Sequence, residues 1–461
     1  MADWTGKRVV ILGAARQGLA LARYLAGHGA RVTLNDLRTA EQLGDARDST
    51  SGLNIDWVLG GHPLHLLNGT DLLAISGGVP LNNALVVEAV RRGIPLTNDT
   101  QIFLETVRCK TIGITGSAGK TTTTTLVGRI AKAGLSGKFR EVWIGGNIGD
   151  PLISYVDDMT SDDLAILEIS SFQLEQMTVS PNVAAILNIT PNHLDRHGSM
   201  QAYTAAKSRI LEFQSTTDTA VLGRDDPGAW ALADKVKGSL LSFGFTPLPK
   251  GGDGTFLQGT DFFVRTQGRE LKLPVADAIE LRGEHNRLNV MAACAITYSA
   301  GFTPSDMRAG IAGFKGVPHR LEFVRDWHGS LWYNDSIATA PERTIAAINS
   351  FSSPLVLMLG GRDKDLPWDD LARLIHKRVD HVVLFGEAAE KINAALGPQI
   401  SGQRPFTRAT CKNLKAAIVC ASHATQPGYV VLFSPGGTSF DEFKDFEERG
   451  EYFRKWVHEL S

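Results

Sequence analysis

The sequence is poor in cysteine and has no surplus of positive charge. Its four cysteines, Cys109, Cys294, Cys411 and Cys420, form no Cys-x-x-Cys pair, which disfavours zinc-ribbon and dithiol redox chemistry and predicts reduced structural thiols. With 47 basic and 49 acidic residues the net charge is −2, so the basic excess of nucleic-acid-binding proteins is missing. We therefore predict no nucleic-acid partner.

Long apolar runs are absent as well. No apolar stretch approaches the roughly 18 residues that a membrane-spanning helix needs, and the first residues, Met-Ala-Asp-Trp-Thr-Gly, lack a basic and apolar leader pattern. These absences predict a soluble, cytoplasmic protein with no membrane partner. At 461 residues the chain has room for about three domains, each with its own core.

A glycine-bearing loop early in the second hundred residues predicts a phosphate site. The apolar, β-branched run 111–115 leads into Gly-Ser-Ala-Gly-Lys-Thr (116–121), which opens a helix expected to end near Ala133. Backbone N–H groups, the helix N-terminus and the lysine can then meet phosphate oxygens, and the threonine hydroxyl can meet Mg²⁺. The strict Gly-x-x-x-x-Gly-Lys-Ser/Thr pattern is not met, because Ile114 stands at its first glycine. An ordinary glycine turn is the alternative.

The sequence pattern of the first hundred residues partly matches that of a dinucleotide-binding unit. The predicted elements are strands at 9–12, 31–35, 71–75 and 94–98 and a helix to about Gly27. Asp36 stands about 20 residues after the loop 13–18, where a carboxylate can hold a ribose hydroxyl. Since Ala15 replaces the middle glycine of the fingerprint, NAD-type binding, another nucleotide and a merely structural turn all remain open.

Polar side chains at the ends of predicted core strands are site candidates in the central region. Glu168 stands late in the strand 164–170, where a carboxylate can meet Mg²⁺ on bound phosphates. His193 follows the strand 183–189, so we predict a site residue. His197 is expected at the surface.

Lys207 lies on the apolar stripe of the predicted helix 200–213, four residues after Tyr203. Such a lysine either snorkels to solvent or is buried and functional. A buried lysine has a lowered pKa, and its neutral amine can take up carbon dioxide to become a carbamate, an anionic metal ligand. Farther on, Asn286 and Asn289 start an Ala-rich helix at i and i+3, so both amides can face one ligand.

Strands alternate with helices again in the last third of the chain, and we expect a change of domain around 314–318. Several of these strands end in polar, glycine-bearing loops, where open α/β sheets bind ligands. The predicted fold is α/β with an N-terminal Rossmann-like domain, a central P-loop ATPase-like domain with a parallel sheet, and a C-terminal Rossmann-like domain. The predicted boundaries are 1–107, 108–316 and 317–461.

Together these motifs resemble the Mur ligase family, most closely its glutamate-adding members. The motifs that carry the resemblance are Gly-Ser-Ala-Gly-Lys-Thr (116–121), Gly-Gly-Asn-Ile-Gly (145–149), Leu-Glu-Ile-Ser-Ser-Phe-Gln-Leu-Glu (167–175), Asn-His-Leu-Asp-Arg (192–196), Ala-Ala-Lys-Ser-Arg-Ile (205–210), Gly-Glu-His-Asn (283–286), Pro-His-Arg (318–320), Asn-Asp-Ser (334–336) and Ser-Phe-Asp-Glu-Phe (439–443). No single motif is decisive, but their order and spacing over the whole chain are highly specific.

The resemblance implies an ATP-dependent ligase that adds D-glutamate to UDP-N-acetylmuramoyl-L-alanine through an acyl phosphate, in peptidoglycan precursor synthesis. The implied cofactors are ATP, two Mg²⁺ ions and a carbamylated Lys207. The first domain would bind the UDP-sugar substrate, the second ATP and the third the amino acid, with the third closing over the second. A monomer is expected.

The resemblance also implies a role for individual residues. The implied catalytic residues are Lys120, Glu168, His193 and Lys207. The implied metal-site residues are Thr121, Glu168, His193 and Lys207. The implied ATP contacts are Gly116, Ser117, Ala118, Gly119, Lys120, Thr121, Thr122, Asn286, Arg320 and Asp335. The implied substrate contacts are Ala15, Arg16, Asp36, Arg38, Ser76, Gly77 and Asn147 for the UDP-sugar and Thr339, Lys364, Ser439 and Phe446 for glutamate.

One loop departs from the family pattern. Where glutamate-adding members typically read Asn-Asp-Ser-Lys-Ala-Thr-Asn, this chain has Ile337 for the lysine and Ala340 for the last asparagine. A lost ammonium at a carboxylate-binding loop can cost a few kcal/mol unless another cation replaces it, and Arg343 is a candidate. The sequence therefore leaves the D and L isomers of glutamate open.

Several alternatives differ in what they require. The same ligation with L-glutamate is left open by the acceptor loop. A sister ligase that adds L-alanine or a diamino acid would differ in the third-domain loops, where Ser-Phe-Asp-Glu-Phe (439–443) favours glutamate. A folylpolyglutamate-synthetase-like ligase has a similar phosphate loop but ordinarily no separate N-terminal nucleotide-binding domain. A nucleotide-gated scaffold has no need of Lys207. An NAD oxidoreductase is disfavoured by Ala15.

Overall fold

The computed structural model describes residues 3–43, 46–47, 50–281, 283–364, 366–398 and 404–461. The chain divides into two compact units, Met1–Phe314 and Lys315–Ser461. The described residues form two sheets in the first unit and one in the second. This architecture confirms the predicted α/β class, while the boundaries at 107 and 316 stay predictions.

The first sheet is parallel and doubly wound. Its strands are β1 (Arg8–Leu12), β2 (Arg31–Asp36), β3 (Ile55–Leu59), β4 (Leu72–Ile75) and β5 (Leu96–Thr97). Its helices are α1 (Arg16–Gly27), α2 (Ala40–Leu43), α3 (Ala84–Arg91) and α4 (Asp99–Thr106). The strand order is β3-β2-β1-β4-β5. The order reverses between β1 and β4, so the loops after these two strands border one crevice.

The second sheet carries the phosphate loop. Its strands are β6 (Lys110–Thr115), β7 (Val142–Gly146), β8 (Leu164–Glu168), β9 (Val183–Ile186), β10 (Thr219–Gly223), β11 (Ser239–Phe243), β12 (Asp253–Gln258), β13 (Asp261–Thr266) and β14 (Arg269–Leu273). Its helices are α5 (Lys120–Ala133), α6 (Ser171–Leu174), α7 (Leu194–His197), α8 (Met200–Glu212), α9 (Pro227–Trp230), α10 (Glu284–Ser299) and α11 (Pro304–Ile311).

In this sheet the strand order is β14-β13-β12-β11-β10-β9-β6-β8-β7. Strands β6 to β12 are parallel, as predicted, whereas β13 and β14 add an antiparallel edge. Because β6 lies between β8 and β9, the segments that follow these three strands meet at one end of the sheet. The helix after the phosphate loop ends at Ala133, which confirms the predicted end.

The third sheet makes up the second unit. Its strands are β15 (Glu322–Trp327), β16 (Ser330–Asn334), β17 (Leu355–Gly360), β18 (His381–Phe385), β19 (Thr407–Cys411) and β20 (Val430–Gly436). Its helices are α12 (Pro341–Ile348), α13 (Asp369–Arg378), α14 (Ala389–Leu396), α15 (Leu414–Ala424) and α16 (Phe446–His458). The order is β15-β16-β20-β17-β18-β19, and β15 alone of these strands is antiparallel.

The first unit has a continuous core. Buried apolar side chains of both its sheets belong to one cluster, in which α1 and α4 pack on the segment Leu152–Asp158. Apolar layers cover both faces of the third sheet, as expected for mainly parallel strands. No helix among the described residues is long and apolar enough to cross a membrane.

Candidate active site

The loop between β6 and α5 has the backbone geometry of a phosphate cradle. Gly119 caps α5 with a φ of +82°, and a Cβ there would lie 2.4 Å from Asn289 Oδ1. A Cβ at Gly116 would lie 2.9 Å from the Cβ of Leu187. Both positions therefore need glycine, and the first turn of α5 offers its N–H groups to an anion. These residues fit a bound phosphate.

The cradle is tied to the segment after β9. The Asn188 side chain accepts a hydrogen bond from the Ala118 N–H at 2.8 Å and donates one to the Ala118 carbonyl at 3.1 Å. The Ser117 hydroxyl donates to the Thr190 carbonyl at 2.9 Å and lies 2.9 Å from the Tyr203 hydroxyl. The sequence did not single out Asn188, whose only signal is an amide near the end of the predicted strand 183–189.

Glu168 ends β8 and is 2% exposed. Its carboxylate accepts hydrogen bonds from the Thr121 hydroxyl at 2.8 Å and from the Asn147 amide at 2.9 Å. Carboxylate and hydroxyl oxygens are ligands that Mg²⁺ prefers. The pair formed by Glu168 and Thr121 therefore fits a Mg²⁺ ion beside the phosphate cradle.

Lys207 is 1% exposed and lies behind the cradle on α8. Its Nζ donates to Thr115 Oγ1 at 3.2 Å and to the Gly116 carbonyl at 3.0 Å. The same carbonyl accepts a hydrogen bond from Lys120 Nζ at 2.8 Å. Burial and the charge of Lys120 lower the pKa of Lys207 well below its usual value, whereas the charge of Glu168 acts in the opposite direction. The side chain is buried and does not snorkel.

His193 has a left-handed backbone, with a φ of +53°, and its ring packs edge-on against Phe172 at 5.2 Å. A non-glycine residue in this conformation is uncommon and often belongs to a functional site. The prediction that His197 lies at the surface is wrong. Its ring stacks on Phe172 at 5.1 Å and lies 2.7 Å from Glu175 Oε1 and 3.0 Å from Ser171 Oγ, so an aromatic face and polar partners compensate its burial.

The structure brings together part of the predicted metal set. Thr121 and Glu168 are in contact, and Lys207 and His193 lie on elements that follow β9. Within the described ranges, no group of three or more His, Cys, Asp and Glu side chains gathers as a metal site. The complete metal set stays a prediction.

Asp36 organises the crevice of the first sheet. Its carboxylate accepts the Ala14 N–H at 2.7 Å and three N–H groups of Arg38 at 2.8 to 2.9 Å. Burial raises the pKa of Asp36, but the hydrogen bonds from Arg38 and Ala14 outweigh it and hold the pKa below its usual range. The Ser76 hydroxyl donates to the Gly13 carbonyl at 3.0 Å. N–H groups of the protein itself therefore surround the carboxylate of Asp36.

Loops of the first and second sheets meet at this crevice. Arg16 Nη2 donates to the Asn147 carbonyl at 3.5 Å. Arg196 donates to the carbonyls of Gly77 at 3.5 Å and Gly78 at 3.4 Å. Predicted substrate residues of two domains are therefore neighbours. Arg196 also lies at this crevice, although the sequence analysis includes it only within the motif 192–196 and assigns it no role.

Asp335 follows β16 in the second unit and is 5% exposed. Its carboxylate accepts the Ser434 hydroxyl at 2.8 Å and the Leu321 N–H at 3.2 Å. Burial raises the pKa of Asp335 to about 7, against the lowering effect of these hydrogen bonds and of the charges on Arg320 and Arg343. Asp335 therefore changes its charge near neutral pH.

The predicted glutamate contacts lie on loops of the same unit. Lys364 Nζ is 3.5 Å from Thr339 Oγ1, so these two are neighbours. Ser439 is buried between β20 and α16, and Phe446 begins α16. The Phe446 carbonyl accepts the Ser336 hydroxyl at 2.8 Å, which ties α16 to the loop after β16.

Three family models match the chain in order. They are a Mur ligase MurD-like N-terminal domain over residues 7–98, a Mur ligase middle domain over 114–297 and a Mur ligase glutamate ligase domain over 319–437. Together they cover the three sheets except for the first four residues of β6.

Curated relatives and solved structures agree with these matches. A protein of Symbiobacterium thermophilum named UDP-N-acetylmuramoylalanine--D-glutamate ligase is 39% identical over 456 residues, covering 99% of this chain and 98% of that protein. A protein of the same name from Koribacter versatilis is 39% identical over 461 residues, covering 100% of this chain and 99% of that protein. The UDP-N-acetylmuramate-alanine ligase of Thermotoga maritima shares the fold, with a TM-score of 0.55 at 19% identity over 98% of this chain and 99% of that one. A pseudomurein peptide ligase type C from Methanothermus fervidus has a TM-score of 0.55 at 20% identity, over 99% of this chain and 100% of that one. The chain belongs to the Mur ligase family.

Proposed function

We propose that this protein is an ATP-dependent ligase that joins D-glutamate to UDP-N-acetylmuramoyl-L-alanine in peptidoglycan precursor synthesis. The observation that carries the proposal is the 39% identity, over nearly the full length of both chains, to proteins named for that reaction. The phosphate cradle supports the ATP-dependent half of the reaction. A monomeric, cytoplasmic enzyme with domains at 1–107, 108–316 and 317–461 is part of the proposal.

The cradle would hold the ATP phosphates. Residues 116–122 would surround them, and Lys120 would neutralise β- and γ-phosphate oxygens. Further ATP contacts would come from Asn286, Arg320 and Asp335. Thr121 and Glu168 would hold one Mg²⁺, and His193 with carbamylated Lys207 a second. Bound Mg²⁺ supplies charge neutralisation on the transferring phosphoryl group.

The reaction has two steps. The carboxylate of UDP-N-acetylmuramoyl-L-alanine attacks the γ-phosphorus of ATP, the bond to the β-phosphate oxygen breaks, and an acyl phosphate and ADP result. The amine of glutamate then attacks the acyl carbon, phosphate leaves, and the amine loses a proton as the amide forms. Because acyl phosphates hydrolyse readily, the site must exclude water during both steps.

A carbamate on Lys207 fits the chemistry of its surroundings. The neutral amine attacks the carbon of CO₂ and releases one proton to solvent, which leaves an anionic carbamate. Burial favours the neutral amine that this reaction needs, and the carbamate would place negative charge next to Lys120, whose ammonium is already there.

The substrates would occupy loops at the strand ends. The UDP-sugar would contact the crevice of the first sheet through Ala15, Arg16, Asp36, Arg38, Ser76 and Gly77. Asn147 would contact its muramoyl end. Glutamate would contact Thr339, Lys364, Ser439 and Phe446.

Phosphate release by the purified protein tests the proposal. ATP, Mg²⁺ and UDP-N-acetylmuramoyl-L-alanine are supplied with D-glutamate, L-glutamate or no amino acid, and Lys120→Ala serves as the inactive control. Release that depends on D-glutamate is expected. The same ligation with L-glutamate is the second candidate, because Ile337 and Ala340 remove a cation and an amide from the acceptor loop and so leave the isomer open. No release with any acceptor would exclude the ligase assignment.

A further inference from the structure

Arg343 brings a positive charge to the acceptor loop from a helix. It lies in the first turn of α12, and its Nη1 donates to the carbonyl of Ile337 at 3.1 Å. Position 337 is where glutamate-adding members of the family carry a lysine. A cation is therefore present at this loop, supplied by a residue six positions farther along the chain.

The positive charges near this loop fall into two groups, those with a carboxylate partner and those, such as Arg449, without an ion pair among the described residues. A neighbouring cation, Arg362, is paired with Glu387 at 2.8 Å. In the part of the chain that the structure describes, no carboxylate lies within the 4.0 Å of an ion pair from Arg343 or Lys364. The carboxylates of Asp335 and Glu342 act on the charge of Arg343 from farther away.

Lys364 lies close to other positive charges. Partial burial lowers the pKa of Lys364, and the positive charges of Arg343 and Arg449 lower it further. Lys364 also lies 3.5 Å from Thr339 Oγ1, so it contacts the same loop that Arg343 contacts at Ile337. Two cations on different elements thus face one short stretch of chain.

An acidic amino acid has two carboxylates, and two cations at one loop match that charge. A guanidinium can bind a carboxylate through two parallel hydrogen bonds. We propose that Arg343 binds a carboxylate of the acceptor amino acid, beside the predicted glutamate contact Lys364, and replaces the lysine that is missing at position 337. This inference rests on the proposed function, because it names how that function's acceptor is held.

Steady-state kinetics of Arg343→Ala test the inference. The KM for glutamate should rise about 10- to 100-fold, the usual effect of losing a hydrogen bond to a charged group, while the KM values for ATP and the UDP-sugar stay unchanged. Arg373→Ala is the matched control, since it removes an exposed arginine of the same unit that pairs with Asp370 on its own helix. This control should leave all three KM values unchanged.

Restoring the lysine separates binding from a structural role. In the Arg343→Ala background, Ile337→Lys should recover most of the lost affinity for glutamate. A KM that Ile337→Lys does not lower would mean that Arg343 only supports the loop, and would overturn the inference. Arg343→Lys keeps the charge and should raise the KM only a few-fold, which tests the inference even if Arg343→Ala fails to fold.

The two proposals fail in different ways. If wild-type protein releases phosphate with glutamate but Arg343→Ala keeps the wild-type KM, the inference is overturned and the proposed function stands. If wild-type protein releases no phosphate with D- or L-glutamate, the proposed function falls first. Running both isomers with Arg343→Ala also shows whether this arginine selects between them.

Discussion

Arginine at position 207 would place a permanent positive charge there and could not be carbamylated. Lys120 Nζ and Lys207 Nζ donate to the same Gly116 carbonyl at 2.8 and 3.0 Å. The two nitrogens are therefore at most about 5.8 Å apart, and two positive charges at that distance repel by about 3 kcal/mol at an effective dielectric constant near 20. A carbamate on Lys207 would replace this repulsion with an attraction of similar size. We therefore expect the site to work with a carbamate and not with a cation at this position.

Lys207→Arg should lower kcat by at least about 100-fold, because the guanidinium introduces about 3 kcal/mol of charge repulsion where the carbamate would attract Lys120. Phosphate release by wild-type protein should fall in degassed, bicarbonate-free buffer and return when bicarbonate is added. With ¹³C-bicarbonate, the wild-type protein should give a carbamate carbon resonance that Lys207→Arg lacks. Lys235→Arg, which changes an exposed lysine of the same unit, is the matched control.

Two results would refute this reasoning. One is a Lys207→Arg variant with wild-type kcat, since a cation would then suffice at this position. The other is wild-type activity that does not respond to bicarbonate, together with no carbamate resonance. In that case the buried lysine would act as a neutral hydrogen-bond donor to Thr115 and Gly116.

Three further substitutions have outcomes that follow from the geometry. Gly119→Ala should lower kcat/KM for ATP about tenfold or more, because a left-handed φ costs a side-chain-bearing residue about 1–2 kcal/mol. Adding Asn289→Ala should restore only the part of kcat/KM that is lost through the close contact between the new Cβ and Asn289 Oδ1. Asp335→Asn should change the pH dependence of thermal unfolding. The pKa of Asp335 is about 7 in the fold against 3.8 ordinarily, so between these pH values the folded wild type binds a proton that the unfolded chain does not, and its stability falls as the pH rises. The melting temperature of the variant should lack this fall. Lys207→Met should lose activity but unfold at a higher temperature than wild type near neutral pH, because it buries no amine. Since the pKa of Lys207 is lowered in the fold, the difference in melting temperature should shrink as the pH rises towards the ordinary lysine pKa. Equal melting temperatures at all pH values would contradict this.

The phosphate loop and its helix were predictable because their signals are local. A β-branched run, two glycines and an apolar helical stretch predict β6, the cradle and an end at Ala133, all within about 25 consecutive residues. Glu168 was predictable for a similar reason, since a carboxylate at the end of an apolar strand is costly to bury unless it binds a cation or hydrogen-bond donors.

Other features depend on contacts between distant segments and left little trace in the sequence. Strand β3 is only partly buried and so lacks the apolar run of a core strand. The burial of His197 depends on Phe172 and Glu175, which lie more than 20 residues earlier. The two-way bonding of Asn188 to the cradle likewise becomes visible only when β9 is placed beside β6.

Lys207 shows how topology turns separate local signals into one site. Helical periodicity put this lysine on an apolar face, which equally fits a snorkelling side chain. The strand order β9-β6-β8 leads to burial of the lysine, because α8 follows β9 and covers the sheet next to β6. There the only polar partners that the structure shows for the amine within the described residues are the hydroxyl and carbonyl oxygens of Thr115 and Gly116 at the end of β6. A lysine held there faces the lysine of the phosphate loop, so its charge state and the charge of bound phosphate must depend on each other.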